Sequence, residues 1–139
     1  MSEENKALMR RLIEGFNSGN LEIYDELVAP DFVDHSAPPG APATREAWKQ
    51  KAGMFRSAFP DIHVTIEQSI AEGDLVTTHT VATGTHQGEL MGIPASGKEI
   101  SVRSMHIEQI VEGKIVARWE VIDLMGMMVQ LGVVSPPGA

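Results

Sequence analysis

The spacing of apolar residues changes period near Pro60. Before that point it is helical. Met9, Leu12, Ile13 and Phe16 fall at i, i+3, i+4 and i+7, one apolar stripe that predicts an amphipathic helix. Gly19 suits its stop and Asn20 a fresh N-cap. Leu21, Tyr24, Leu27 and Val28 predict a second helix, ended by Pro30. Asp31 to His35 reads as a short extended piece, and the proline-rich stretch from Ser36 to Pro42 as a loop. Thr44 then caps a third helix with the stripe Trp48, Ala52, Phe55 and Phe59.

After Pro60 the period is two. Ile62, Val64, Ile66 and Ile70 alternate with polar residues, which predicts a strand with one dry face. Glu72-Gly73-Asp74 turns the chain into a second long strand, Leu75 to His86. Gln87 to Lys98, with three glycines and a proline, is a loop. Glu99–Val111 and Lys114–Asp123 form a hairpin around Glu112-Gly113, followed by a short helix ending in Gln130-Leu131-Gly132. Pro136-Pro137-Gly138 reads as a frayed tail. Helices and strands segregate rather than alternate. The fold class is therefore α+β, a curved, mostly antiparallel sheet wrapped around three helices and enclosing a pocket.

Composition narrows the function classes. With 139 residues the chain is one domain, 1–139. An apolar fraction of 42% without a membrane-length run argues against a membrane partner. A net charge of −8 argues against nucleic acid, which demands a basic footprint. The absence of cysteine excludes disulfides and thiolate metal sites and fits a cytoplasmic protein. No basic-then-apolar leader opens the sequence. His79 and His86, seven apart on one strand, face opposite ways and make no simple metal pair, so no metal is expected.

The candidate chemistry lies in the last hairpin. His106, Arg118, Glu120 and Asp123 interrupt its apolar residues, and ionisable groups beside a core need partners, water or a task. Arg118 and Glu120, two apart, share a face and form either an outward ion pair or part of a pocket. Asp123 precedes the last helix and suits its N-cap. Trp119 belongs to the core or the pocket wall. His35 sits at a pocket mouth or on the surface. Simple pairing across Glu112-Gly113 sets Met105 opposite Glu120 and His106 opposite Trp119, so His106 and Glu120 face opposite sides unless a β-bulge intervenes.

Several segments resemble one family. They are Asn17-Ser18-Gly19-Asn20, Leu27 to His35, Gly84 to Pro94, Gly113-Lys114-Ile115-Val116 and Gln130-Leu131-Gly132. In order and spacing they are similar to the SnoaL-like polyketide cyclases of the nuclear-transport-factor-2-like superfamily. The resemblance implies an α+β cone with a deep pocket and oligomers built through the sheet. It implies ring closure by intramolecular aldol condensation without metal, cofactor or Schiff base. It also implies a catalytic acid at Glu120, where the family has aspartate, a helping histidine at His106, and a pocket residue at Asp34, where the family has asparagine.

The expected activity is thus cofactor-free acid–base chemistry on a small, apolar, carbonyl-bearing molecule. Glu120 and His106 are the catalytic candidates. Asp34, His35, Arg118, Trp119 and Asp123 are the candidates for substrate contact. An aldol closure needs a base for a carbon acid, a donor for the enolate oxygen and an acid for the new alkoxide. Glu120 serves if an apolar pocket raises its pKa from about 4.3 towards neutral, and histidine is suited to donate near neutral pH. Isomerase, dehydratase or epoxide-hydrolase chemistry on the same fold is the alternative, as is a non-catalytic module that binds a hydrophobic ligand or dimerises. Two-sided apolar content in the last strand predicts a homodimer.

Overall fold

A computed structural model describes residues 2–136 and 138. The helices are α1 (Ser2–Ser18), α2 (Glu22–Leu27), α3 (Arg45–Ala58) and α4 (Leu124–Gln130). The strands are β1 (Val28–Asp34), β2 (His63–Glu72), β3 (Leu75–Thr85), β4 (Glu99–Val111) and β5 (Lys114–Ile122). They form one open sheet in the order β1-β5-β4-β3-β2, antiparallel except for β1 beside β5. The α+β architecture with a curved sheet over helices is as the pattern predicts. The expected tail at Pro136-Pro137-Gly138 lies partly outside the described residues.

Local chemistry sets most boundaries. The Thr44 hydroxyl accepts from the Ala47 N–H and opens α3, and Asp123 Oδ1 accepts from the Gly126 N–H and opens α4. Asn20 does not cap α2; the preceding residue is Leu21, with no side-chain cap. Val28 is extended rather than helical, because the chain must leave the helix before Pro30 and instead pairs with Ile115. Gly15 lets α2 close on α1: a Cβ there would lie 2.6 Å from the Ile23 side chain. Glu112 and Gly113 both have positive φ, 50° and 75°, the geometry that matches a tight hairpin to strand twist.

In the antiparallel part of the sheet, β-bulges in β2 and β5 correct the simple alternation. In β2 the register with β3 shifts between Ile66 and Gln68, so Glu67 is extra. Ile70, expected on the dry face, is thereby turned outward and is 68% exposed. In β5 the register with β4 shifts by one, with Ile110 opposite Ile115 but Gln109 opposite Ala117. Val116 is the extra residue. Beyond it His106 stands opposite Glu120, and Met105 opposite Val121. The uninterrupted pairing expected from the turn is therefore wrong by one residue.

Two apolar clusters fill the space between sheet and helices. One gathers Met9, Leu12, Tyr24, Phe32 and Trp48 over Val76, Ile110 and Ile115. The other gathers Phe59, Leu90, Ile100, Val102, Met127 and Leu131. Both contribute walls to a cavity of about 150 Å³.

Candidate active site

The cavity is lined mainly by apolar side chains, among them Phe16, Phe55, Ile62, Val102, Ile122 and Met127. Its polar wall comes from the concave faces of β4 and β5. His106 and Glu108 alternate inward on β4, Arg118 and Glu120 on β5, and the bulge at Val116 brings the two pairs together. Tyr24 and Trp48 close over them from α2 and α3, and Lys51 stands at the edge.

A linked set of charges results. Glu108 is fully buried and uses both oxygens. Oε1 lies 2.7 Å from His106 Nδ1, and Oε2 accepts from Arg118 Nε at 3.2 Å. Arg118 Nη1 donates to Glu120 Oε1 at 3.4 Å, and Nη2 lies 3.3 Å from Glu120 Oε2. Lys51 Nζ donates to Glu120 Oε1 at 3.5 Å from the more exposed side. The Arg118 guanidinium lies over the Trp48 ring, 4.4 Å from its centroid. Trp48 is held in turn by Tyr24 edge-on and by Phe32 stacked on it. Each buried charge therefore has an opposite charge in contact, as burial demands.

Glu120 does not behave as the sequence suggests. Burial raises its pKa, but Arg118, Lys51 and His106 together outweigh burial and hold it below the ordinary carboxylate range. At neutral pH Glu120 is ionised, a base ready to receive a proton. Arg118 is a fixed cation. Burial opposes its charge, and Glu120, Glu108 and Asp34 more than restore it. Burial pushes the Tyr24 phenol up, so it stays protonated.

The other sequence candidates are placed as follows. Glu120, His106 and Arg118 line the cavity together, and the Arg118–Glu120 pair points inward, not to solvent. Asp34 stands beside Arg118 in the β1–β5 ladder, but its carboxylate is occupied by the Ser36 N–H and hydroxyl at 3.0 and 2.5 Å. Trp119 is not a cavity wall. It faces the outer side of the sheet, 39% exposed, with the His35 ring stacked on it at 4.8 Å. His35 is therefore an outer-face residue too. Asp123 is the cap of α4.

The sequence reading passed over Glu108, Lys51, Tyr24 and Trp48 as site residues. Glu108 had one available signal: it follows His106 by two on one strand, as Glu120 follows Arg118 on the next. Lys51 had none, because 69 positions separate it from Glu120.

Known proteins similar to this chain cover most of its length. Nogalonic acid methyl ester cyclase of Streptomyces nogalater is 30% identical over 123 residues, 87% of this chain and 92% of that protein. Aklanonic acid methyl ester cyclase DnrD of Streptomyces peucetius is 29% identical over 128 residues, 90% of this chain and 88% of that protein. Among solved structures, IdmH from Streptomyces antibioticus is 37% identical with a TM-score of 0.82, covering 93% of this chain and 99% of its own. AclR of Streptomyces galilaeus, a proposed hydroxylase, is 28% identical with a TM-score of 0.89, covering 98% and 85%. The sequence profile of the SnoaL-like polyketide cyclases matches residues 6–131, and the chain belongs to that family.

Proposed function

We infer that this protein is a cofactor-free polyketide cyclase that closes a ring by intramolecular aldol condensation, with Glu120 as its acid–base group. One observation carries the reading: Glu120 and His106 stand opposite each other at the polar wall of an otherwise apolar cavity. In the proposed sequence the Glu120 carboxylate takes a proton from a carbon beside a carbonyl. His106, its ring held by Glu108 through Nδ1, donates a hydrogen bond to the developing enolate oxygen. The enolate carbon attacks a second carbonyl of the same molecule. Glu120 then returns its proton to the new alkoxide, so no proton is gained or lost overall. Arg118 is a positioning residue: it fixes both carboxylates and leaves no free charge in the cavity wall.

A carboxylate held below its ordinary pKa is a weak base. General acid–base help of this kind is worth roughly 10²–10⁴-fold, which suffices for the acidic C–H of a β-dicarbonyl but not for an amide or a phosphate. The proposal therefore includes an activated polyketide substrate.

The reading extends to assembly and place. Met105, Trp119 and Val121 form an exposed apolar row on the outer face of the sheet, Val121 being 77% exposed, which supports a homodimer built through that face. The cysteine-free sequence supports a cytoplasmic location. No described helix is long and apolar enough to cross a membrane. The test is turnover of nogalonic acid methyl ester and aklanonic acid methyl ester by the native protein and by Glu120→Gln. Loss of ring closure in the variant, with the native fold retained, supports the reading. Equal rates in the two proteins overturn it.

A further inference from the structure

Away from the charged wall, the concave face of the sheet carries a second polar feature. Thr80 on β3 and Ser104 on β4 stand opposite each other in the ladder, and their hydroxyl oxygens are 2.9 Å apart. Both line the cavity, among Ile62, Val64, Ala82 and Val102. Thr80 is only 4% exposed.

Hydrogen-bond accounting leaves one group over. Two hydroxyls carry two protons, and their mutual bond uses one. Among the described residues no other side-chain bond is made by either hydroxyl. One O–H donor is therefore left at the cavity wall, where an unmet donor is costly. Threonine's preference for strands is the plain alternative, and Thr78 illustrates it: its hydroxyl is buried without a partner and lies outside the cavity lining. The Thr80–Ser104 pair differs because it borders the space a guest would fill.

The pair also sits at a defined spacing from the catalytic wall. Ser104 precedes His106 by two residues on one strand, so the two side chains are roughly 7 Å apart along the same face. The geometry points to a specificity subsite: the Thr80–Ser104 pair donates to a second oxygen of the guest, about 7 Å from the oxygen at His106 and Glu120. The guest it selects carries two oxygens about 7 Å apart with an apolar frame between them. This rests on the cyclase reading for the reacting end of the molecule, and adds a second point of recognition.

Two inert fluorescent probes test it. 2,6-Naphthalenediol carries oxygens on opposite edges of its rings; 2-naphthol carries one. Fluorescence titration of the native protein is expected to show the diol bound about fivefold to tenfold more tightly, one hydrogen bond's worth. Thr80→Val/Ser104→Ala removes both hydroxyls together and is expected to bring the two probes to within twofold. Thr80→Ala/Ser104→Ala replaces it if valine disturbs folding, and Thr80→Ser must keep the preference. No binding of either probe, no preference in the native protein, or a preference that survives loss of both hydroxyls overturns the proposal. Glu120→Gln separates the two readings. A variant that still closes rings but prefers the diol removes the acid–base role and leaves the subsite. A variant that loses turnover, alongside a native protein without probe preference, does the reverse.

Discussion

Arg118→Leu is the perturbation whose size follows most directly from the structure. It removes the cation that Glu108 and Glu120 share, together with the contact over Trp48. Glu108 is fully buried, and among the described residues its only remaining close partner is the His106 ring. Breaking one side of a buried ion pair typically costs about 3–5 kcal/mol, because the remaining charge is left without a partner. Unfolding entropy is about 2.1 cal/mol/K per residue, so for 139 residues a loss of about 4 kcal/mol lowers Tm by about 14 °C. Adding Glu108→Gln removes the stranded charge while keeping an acceptor for His106, and is expected to recover at least half of the loss. The assay is thermal unfolding followed by circular dichroism, with urea denaturation of the same three variants. A single-variant Tm within about 3 °C of native refutes the reasoning, as does a double variant less stable than the single.

Three further outcomes follow from the same geometry. Lys51→Met removes one of the charges that hold Glu120 down, so its pKa rises towards the ordinary value; the acid limb of kcat/KM moves to higher pH, and an unmoved limb or one shifted downward counts against the pairing. His106→Ala is expected to slow turnover less than Glu120→Gln, and the opposite order in single-turnover rates means the two roles are reversed. Deleting Val116 takes out the residue without a partner and leaves Glu120 opposite His106, so ring closure and the strand content seen by circular dichroism are both expected to persist; loss of activity with the fold intact would place the bulge itself in the mechanism.

The fold was largely legible because its signals are local. Trp48, Ala52 and Phe55 keep helical spacing, Thr44 and Asp123 carry side-chain caps, and Glu112-Gly113 makes a two-residue turn. The site was legible only in part, because it depends on a count of one residue. Val116 and Ala117 are both small and apolar, so nothing in their pattern says which is extra, and the same holds for Glu67 between Ile66 and Gln68. Glu108 shares its face of β4 with Val102, His106 and Ile110, but only the bulge in β5 sets Arg118 opposite it. The direction of the Glu120 shift was missed for a related reason. Desolvation can be inferred from a greasy neighbourhood, but the charges that outweigh it are set by the fold: Arg118 first, turned with Glu120 to the cavity wall, then Lys51, which arrives from α3, far away in sequence.

The outer face shows the converse. Trp119 looks like a core residue by type, yet it lies outside the cavity because the bulge that turned Glu120 inward turned Trp119 outward. Its ring is covered by His35, which follows β1 and whose N–H bonds the Arg118 carbonyl. Beside it Val121 and Met105 are also exposed, and this is the face through which the proposed homodimer would form.

Proton exchange at carbon tests the central claim without waiting for ring closure. Nogalonic acid methyl ester is incubated with the protein in deuterated buffer, and loss of the signal from the hydrogens beside its carbonyls is followed by proton NMR. The native protein is expected to speed that exchange at one carbon by about 10²–10⁴-fold over buffer, and Glu120→Gln to bring it back close to the buffer rate. Equal exchange in the native protein and the variant would contradict the assignment of Glu120 as the base.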